Sequence, residues 1–496
     1  MGKVSLDNAL DRATARQDDG TRAIPGAAFV AIDTKKGLIY SKASGSRTLS
    51  SNGTDFALDG LCFIASMTKL MTSIAAMQAV ERGLIGLDDD VSNVLHEWKD
   101  AQVLDGFDKS GEPMLHKAKN KITLRLLLSH SSGISYDIMD PRLMQWRKSL
   151  GQEVMTLCGS IDAGYKAPLV YEPGEGWAYG AGIDWAGRLV ERLNGNISLG
   201  EYMEKNIWGP MGMTSTTFNI EENPSMQARR VDMSMRMPTG ELELVPAPVY
   251  PSPAQDDCGG IGGYSTAPDY MKLLTALLHA DAKLLKSSSI DEMFEPQLPD
   301  SKYLEQVLKV PEMRNILTGN FPEGLKVNFG LGGMLNMEPF PSGRRKGAMQ
   351  WGGMPNLFWW VDRESAICGA YFSQVMPMGD RKSIDLFSEL ETEWFQYYQE
   401  HHGCGVNLPK FCFSVCPAII LYVCYQRISV KDSTSLQNDS ALYKDFVEYY
   451  ASLRYGRIEE LPTVHNVVYM WHLYVGYARV TKSKIDKNTV SDVASV

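Results

Sequence analysis

Apolar runs with strand character lie at both ends of the first 400 residues. The segment GAAFVAIDTKKGLIYSKASGSRTL, residues 26–49, has two such runs around a Lys-Lys-Gly turn, which predicts a β-hairpin. Strand character returns in MQWGGMPNLFWWVD, residues 349–362, and in SAICGAYFSQV, residues 365–375. A long region without clear strand periodicity separates these two groups.

Helical periodicity dominates that intervening region. In SMTKLMTSIAAMQAVERG, from Ser66 onwards, apolar residues recur at three- and four-residue steps until Gly83 interrupts the pattern. Loops rich in proline and glycine separate the later helical stretches. Those further helices are predicted in Leu124–Leu128, Asp184–Leu193, Tyr270–Leu278 and residues 383–399.

This order of strands, helices, strands and a final helix predicts an α/β fold of the α+β kind. We expect residues 20–85 and 325–400 to form one mixed, mainly antiparallel sheet flanked by helices. Residues 86–324 would be a mainly helical inserted domain that forms the other wall of a cleft. Residues 401–496 have no clean relation to what precedes them, so we expect a C-terminal appendage of unknown role.

Composition and charge exclude several classes of function. The chain is 44% hydrophobic and 22% charged, close to the average of globular proteins. Its net charge of −10 and pI near 5.4 give no electrostatic footprint for nucleic acid, so no such partner is predicted. The N-terminus is charged throughout and lacks the apolar region of a secretory signal, which predicts a cytoplasmic location.

The C-terminal region gives no reason to expect a membrane span or a metal site. The longest apolar run, Phe411–Tyr425, contains a proline and is shorter than the roughly twenty residues that a spanning helix needs. No stable membrane insertion is therefore predicted. The sequence also predicts no cofactor and no metal site. No defensible zinc spacing is formed by the possible ligands His401, His402, Cys404, Cys412 and Cys416.

A serine and a lysine at the start of the first predicted helix are the first candidates for catalysis. Ser66 and Lys69 in FIASMTKL share a helix face, so the lysine can reach the hydroxyl if Ser66 lies at the helix start. Free backbone N–H groups and the helix dipole would stabilise an oxyanion there. Lys69 could act as a base only if its apolar neighbours disfavour its charged form. The alternative is a capping serine beside a solvated lysine.

Two glycine-rich segments supply further candidates. Tyr179 in GEGWAYGAGIDWAG lies in a loop just before a predicted helix, where a phenol can project into a cleft and shuttle a proton. In MQWGGMPN, Gly352 and Gly353 allow close backbone approach, and an N–H group there could complete an oxyanion hole. Taken alone, each has an ordinary explanation: an aromatic cover over the core, or an edge strand with a glycine bulge.

In chain order, SMTKL, LRLLLSHSSGISYD, YEPGEGWAYGAGIDWAGRLVE, GGIGGYSTAPDYMKLL and WGGMPN resemble the motifs of the serine β-lactamase and penicillin-binding protein family. The resemblance covers residues 20–400 and is to the class C branch, with its esterases and transesterases. It implies that Ser66 is the acylated nucleophile and Lys69 its proton acceptor. It also implies that Tyr179 activates Ser66, then protonates the leaving group and deprotonates the acceptor.

The same resemblance implies the remaining parts of the site. The oxyanion would lie between the backbone N–H of Ser66 and one near Gly353 or Met354. The segment SHSSGIS resembles a part of the family that is mostly structural, so His130 is given no catalytic role.

Two departures from the family pattern bear on the substrate. Ala181 replaces the asparagine of the usual Tyr-x-Asn motif, and Trp351 stands where the third motif usually begins with Lys or His. A β-lactamase uses that amide and cation to hold its drug, so β-lactam hydrolysis is not expected to be the natural task. A broad apolar cleft for a bulky neutral or polyketide-like substrate is suggested instead by Trp177, Trp351, Trp359 and Trp360, although some of these four must belong to the core.

These substitutions look most like the fungal transesterases of the lovastatin acyltransferase type. By that resemblance, an acyl group moves from a thioester, on coenzyme A or a carrier protein, to a hydroxyl of a small natural product in secondary metabolism. An esterase with the same site and water as acceptor is the alternative, and the motifs do not separate the two. A catalytically idle binding protein is the third hypothesis.

Overall fold

The computed structural model describes residues 2–402, apart from residues 19, 36, 51 and 52. The predicted C-terminal appendage, with its apolar run and cysteines, lies outside the described residues. Among the described residues, no helix is long and apolar enough to cross a membrane. The same residues contain no group of three or more His, Cys, Asp or Glu side chains that could hold a metal ion.

Fourteen strands and fourteen helices make up the described chain, besides short 3₁₀ and π turns. The strands are β1 Gly26–Asp33, β2 Leu38–Gly45, β3 Cys62–Phe63, β4 Gln102–Phe107, β5 Pro113–Lys117, β6 Ser234–Arg236, β7 Leu242–Leu244, β8 Tyr264–Ser265, β9 Val327–Phe329, β10 Met334–Asn336, β11 Met349–Gly353, β12 Leu357–Asp362, β13 Ile367–Phe372 and β14 Val375–Met376. The helices are α1 Gly2–Thr14, α2 Thr68–Glu81, α3 Leu124–Leu128, α4 Pro141–Ser149, α5 Ile161–Tyr165, α6 Gly182–Leu193, α7 Leu199–Met203, α8 Gly209–Met211, α9 Pro224–Gln227, α10 Ala267–His279, α11 Ser287–Phe294, α12 Lys302–Lys309, α13 Pro311–Thr318 and α14 Arg381–His402.

A seven-stranded sheet in the order β2-β1-β13-β12-β11-β10-β9 is the centre of the fold. Every neighbouring pair in it is antiparallel, and β1 and β2 form the predicted hairpin, with Gly26 opposite Gly45. Two strands come from residues 26–45 and five from residues 327–372. The predicted fold class, a mainly antiparallel sheet with helices, is confirmed. The domain limits at residues 85 and 325 stay predictions.

The sheet is buried on both faces because its side chains alternate between two cores. Phe358 and Trp360 on β12 pack with α1 and α14, and the Phe358 ring stacks on Phe387 with centroids 4.6 Å apart. Trp359 between them points into the other core, with α2 and α10. Trp359 and Trp360 have no exposed surface. These two tryptophans therefore belong to the core and do not line a substrate cleft, since a strand covered on both faces buries both sets of side chains.

Helix α2, which follows Ser66, runs through the larger core. Residues 68–79 are all buried, including Thr72 and Ser73, because short polar and alanine side chains alternate with the larger apolar ones. A helix without a solvated face must be enclosed by other elements, and α2 packs against α6 and α7. This enclosure gives the residues at its N-terminal end a fixed position.

Some elements of the structure are not predicted from the sequence. Helix α1 was interpreted only as a charged N-terminus, although Leu6, Ala9 and Leu10 have helical spacing and are buried beneath α14. The hairpin β4–β5 was also missed, because its second strand is mostly exposed and carries no regular alternation.

A buried ion pair connects the sheet to the helices around it. Arg344 Nε lies 2.7 Å from Glu391 Oε1, and neither side chain is exposed. Burial lowers the pKa of Arg344 and raises the pKa of Glu391, so each charge depends on its partner. Asn320 Nδ2 donates to Glu391 Oε2 at 2.8 Å, and Arg344 donates to Gln350 on β11. Gln350 in turn donates to the carbonyl of Thr318 at 2.8 Å.

We expect Arg344→Met to lower the free energy of unfolding by about 3–5 kcal/mol, because Glu391 stays buried without its cation. Urea unfolding followed by tryptophan fluorescence measures the loss. The control is the double variant Arg344→Met/Glu391→Leu, which removes both charges and should recover most of the stability. A loss under about 1 kcal/mol in the single variant would contradict a structural role for the pair.

A histidine joins the β4–β5 hairpin to the loop that leads to Tyr179. His116 Nδ1 lies 2.6 Å from Asp105 Oδ2, and its Nε2 lies 2.9 Å from Glu172 Oε1. Hydrogen bonds to these carboxylates, first from Asp105, raise the pKa of His116 above 6.5. Because the folded pKa exceeds the unfolded one, His116 stabilises the fold fully at low pH. That contribution is lost as the pH rises through the folded pKa.

We therefore expect His116→Gln to lower the melting temperature more at about pH 6 than at about pH 9. Thermal unfolding of both proteins at the two pH values measures the difference. His96→Gln is a suitable control, since His96 Nδ1 faces only the Ser92 carbonyl at 3.3 Å. An equal effect of His116→Gln at both pH values would show that its charge contributes nothing.

Candidate active site

Ser66 lies in a 3₁₀ turn, Ala65–Met67, between β3 and α2. Ala65 has φ 43°, a left-handed conformation that residues with a Cβ rarely adopt. Thr68 Oγ1 donates to the Ala65 carbonyl at 2.6 Å and accepts from the Gly263 N–H at 3.0 Å. These bonds hold the strained turn in place. Ser66, partly exposed, is thereby presented at the N-terminal end of α2.

Lys69 is buried, with only 1% of its surface exposed. Its Nζ lies 3.2 Å from Ser66 Oγ, 3.2 Å from Tyr136 OH and 2.7 Å from the Gly260 carbonyl. These three acceptors match the three N–H donors of an ammonium group. A solvated surface lysine beside a capping serine, the alternative considered from sequence, does not describe this arrangement.

Tyr179 completes the contacts of the serine hydroxyl. Its phenolic oxygen lies 2.5 Å from Ser66 Oγ, and Lys69 Nζ lies 4.7 Å from the centre of the Tyr179 ring. The structure therefore brings Ser66, Lys69 and Tyr179 together, from α2 and from the loop before α6. Both neighbours of the hydroxyl can exchange a proton with it.

The segment 130–136 holds the Tyr179 loop by backbone contacts. Ala178 N–H donates to the His130 carbonyl at 3.0 Å, and Ser135 Oγ donates to the Tyr179 carbonyl at 3.3 Å. A Cβ added at Gly180 would lie 2.2 Å from the Ile134 carbonyl oxygen, so only glycine fits there. The loop is therefore fixed to its neighbour along its length, which keeps the phenol at Ser66.

His130 lies behind Tyr179 in an aromatic cluster. Its ring centroid is 4.9 Å from that of Tyr179, 5.3 Å from that of Phe329 and 6.4 Å from that of Trp351. Burial, with a smaller effect of the Lys69 charge, lowers the pKa of His130 well below its usual value. A neutral, buried His130 packs against Tyr179, and its Nδ1 accepts a hydrogen bond from the Gly180 N–H at 3.4 Å. Its purely structural role stays a prediction.

The positions at which this chain departs from the family's usual motifs lie in the same region. Trp351 on β11 is 4% exposed, and its ring centroid lies 5.3 Å from that of Tyr179. Trp177 is 6% exposed and packs edge-on against His130. Ala181 is buried at the start of α6. Where a cation and an amide would stand in a β-lactamase, this chain has an apolar wall.

The predicted second half of the oxyanion hole lies close to the serine turn. A Cβ added at Gly353 would lie 2.4 Å from the Ile64 carbonyl oxygen, so the end of β11 touches the backbone just before Ser66. Met354, the next residue, is partly buried against the same core. The absence of a side chain at Gly353 is what permits this approach.

Three residues at the centre of the site were missed by the sequence analysis. Tyr136 OH donates to Asp184 Oδ2 at 2.8 Å, and Gly260 N–H donates to Asp184 Oδ1 at 2.8 Å. Tyr136 and Gly260 also accept from Lys69. The available signal was Asp184 itself, a carboxylate among the apolar residues at the start of a predicted helix.

The electrostatics of this group follow from burial. Asp184 has no exposed surface, and burial raises the pKa of its carboxyl, while the Lys69 charge acts in the opposite direction. Burial and the Asp184 charge raise the pKa of Tyr136 well above its usual value, so its phenol keeps its proton. Tyr136 is therefore a neutral hydroxyl between a carboxylate and an amine.

Comparison with known proteins agrees with this geometry. A family model described as Beta-lactamase matches residues 11–391. Monacolin J acid methylbutanoyltransferase of Aspergillus terreus is 36% identical over 389 residues, which cover 77% of this chain and 94% of that protein. Lovastatin esterase of Penicillium rubens is 35% identical over 397 residues, which cover 77% of this chain and 97% of that protein.

A solved structure is also similar over most of both chains. A mutant of simvastatin synthase from Aspergillus terreus matches with a TM-score of 0.72 and 35% sequence identity, covering 81% of this chain and 100% of that one. Since the family model spans most of the sequence and these relatives are matched over nearly their full lengths, the chain belongs to the beta-lactamase family.

Proposed function

We propose that this protein is a serine acyltransferase that moves an acyl group from a thioester to a hydroxyl of a small natural product. The observation that carries the proposal is the Ser66 hydroxyl, held 2.5 Å from the Tyr179 phenol and 3.2 Å from the Lys69 amine. The similarity to a methylbutanoyltransferase and to simvastatin synthase supports transfer as the natural reaction.

In the proposed acylation step, Ser66 Oγ attacks the carbonyl carbon of the thioester while its proton passes to Lys69. The negative charge that develops on the carbonyl oxygen is stabilised by the backbone N–H of Ser66 and by one near Gly353 or Met354. The carbon–sulfur bond then breaks. The departing thiolate takes the proton of the Tyr179 phenol, which leaves a phenolate at Tyr179, an ammonium group at Lys69 and an ester on Ser66.

Deacylation is the reverse of these steps, with the acceptor alcohol in place of the thiol. The acceptor hydroxyl gives its proton to Tyr179, and its oxygen attacks the ester carbon of acyl-Ser66. When the bond to Ser66 Oγ breaks, that oxygen recovers a proton from Lys69. No net proton is gained or lost, because the thiol product carries the hydrogen that the acceptor gave up.

The walls of the site support a neutral, apolar substrate. Trp351 and Trp177 cover the side where a β-lactamase places polar groups, and Ala181 offers no amide. The partners of the proposal are a small-molecule acceptor and a thioester of coenzyme A or of a carrier protein. A cytoplasmic location belongs to the same proposal, because such thioesters are intracellular metabolites.

A serine esterase is the second candidate. It would use the same three residues with water as the acceptor, and the 35% identity to lovastatin esterase favours it specifically. The difference lies in whether water reaches the acyl-enzyme before an alcohol does.

We expect Ser66→Ala to abolish acyl transfer, because the Ser66 hydroxyl is the group that contacts both Tyr179 and Lys69. Intact-protein mass spectrometry after mixing with a short acyl thioester should show one added acyl group on the wild type and none on the variant. The melting temperature should change little, since Ser66 is partly exposed. An adduct on Ser66→Ala would remove Ser66 from the mechanism.

The same adduct distinguishes the two candidate functions. For a transferase, it should persist in water and disappear when an alcohol acceptor is added. For an esterase, it should decay in water at a rate that added alcohols do not increase.

We expect Tyr179→Phe to slow both acylation and deacylation by about 10²–10⁴-fold, as loss of a general acid–base group does. Stopped-flow release of thiol measures the first step, and decay of the acyl adduct measures the second. Tyr165→Phe is a matched control, since Tyr165 is also buried but donates to the Thr156 carbonyl at 3.0 Å. Near-normal rates for both steps would exclude Tyr179 as the proton carrier.

A further inference from the structure

We propose that Tyr136 and Asp184 are positioning residues that direct the lone pair of the Lys69 amine at the Ser66 hydroxyl. The inference rests on the proposed function, in which Lys69 takes the proton of Ser66. It follows from a closed ring of buried hydrogen bonds behind the lysine. Lys69, Tyr136 and Asp184 are 1%, 4% and 0% exposed, so water does not compete for these bonds.

The ring has a defined sequence of donors and acceptors. Asp184 accepts from the Gly260 N–H at Oδ1 and from Tyr136 OH at Oδ2, each at 2.8 Å. Lys69 Nζ donates to Tyr136 OH at 3.2 Å and to the Gly260 carbonyl at 2.7 Å. Each group is therefore bonded to both of its neighbours in the ring.

The carboxylate fixes the direction of the tyrosine hydrogen. An ionised carboxylate only accepts hydrogen bonds, so the single hydrogen of Tyr136 OH must point to Asp184. The phenolic oxygen then presents a lone pair to Lys69. The Gly260 carbonyl likewise only accepts. Lys69 consequently faces two acceptors. The Gly260 carbonyl has no hydrogen to donate, and the hydrogen of Tyr136 OH points to Asp184.

This arrangement orients the amine in the form that accepts the Ser66 proton. An amine in that form has two N–H bonds and one lone pair, and the two fixed acceptors, Tyr136 and Gly260, take the two N–H bonds. The lone pair is left for the third neighbour, Ser66 Oγ, at 3.2 Å. When the serine O–H bond breaks and a third N–H bond forms, the ammonium already has an acceptor for each hydrogen.

The charge formed in that step also has its partner in the ring. Lys69 is faced by Tyr136, Tyr179, His130 and Asp184 from three different segments. Of these groups, Tyr136 and the buried His130 are neutral, Tyr179 presents the face of its ring, and Asp184 carries the negative charge. An ammonium group formed at Lys69 is thus stabilised by one buried carboxylate.

Replacing the carboxylate with an amide would reverse the ring. In Asp184→Asn, the amide oxygen can still accept from the Gly260 N–H, but the amide nitrogen then donates to Tyr136 OH. The tyrosine hydrogen is released towards Lys69, where it takes the lone pair that Ser66 needs. Shape and volume hardly change, so the variant tests hydrogen-bond polarity rather than packing.

We expect Tyr136→Phe and Asp184→Asn each to lower the rate of Ser66 acylation by about 10–100-fold at saturating thioester, with KM changed less than about twofold. Single-turnover mass spectrometry and steady-state thiol release measure the two quantities. The double variant should be no slower than the slower single variant, because both changes break the same chain of bonds. Melting temperatures show whether each variant is folded.

Tyr165→Phe is the matched control. Tyr165 packs against the Tyr136 ring with centroids 5.6 Å apart. Its hydroxyl, however, donates to the Thr156 carbonyl and not to Lys69, Tyr136 or Asp184. It should keep the wild-type acylation rate. If Tyr136→Phe is folded and acylates at the wild-type rate, the positioning role is wrong. If the two losses multiply in the double variant, general structural damage explains them and the proposal also fails.

These outcomes are separate from a failure of the proposed function. An adduct on Ser66→Ala would overturn the nucleophile itself. An adduct that requires Ser66 but forms at the wild-type rate in Tyr136→Phe would overturn only the positioning role. If Asp184→Asn unfolds, Tyr136→Phe alone decides, since it keeps the aromatic side chain and removes only the hydroxyl that takes part in the hydrogen-bonded ring.

Discussion

The buried amine of Lys69 is the group on which the rest of the site depends. A lysine enclosed in protein must have its N–H groups satisfied, and here the partners come from the turn before α2, from the segment before α4 and from the loop before β8. Each partner is held by further bonds, down to Asp184 on α6. Placing the Lys69 amine at Ser66 therefore requires most of the helical region to be correctly positioned.

The packing of the sheet constrains the other side of the site. Its two faces are packed between α1 with α14 and α2 with α10, so β11 cannot shift relative to the serine turn. The contact of Gly353 with the Ile64 carbonyl depends on that rigidity, as does the position of Trp351 against Tyr179. The site thus has one side set by sheet packing and another set by hydrogen bonds, which suits a reaction that needs donors and acceptors at fixed positions.

Prediction from the sequence is correct where neighbouring residues along the chain carry the signal. The hairpin at residues 26–45, helix α2 and strands β11 to β13 are each visible in the spacing of apolar residues. Ser66, Lys69 and Tyr179 could be named because each lies in a motif whose order along the chain resembles that of a family. Prediction did not assign Trp359 and Trp360 to the core, because a pattern of consecutive tryptophans does not reveal that both faces of a strand are covered.

By itself, the sequence determined the secondary structure of the main elements, the family and the candidate nucleophile, since these depend on neighbouring residues and on motif order. Only the tertiary structure decided which tryptophans face the site and which groups hold Lys69. Gly260 lies 191 positions from Lys69, and Tyr136 lies 67 positions away. Hydrogen bonds between such distant residues form because burial removes water from them, and burial is a property of the whole fold.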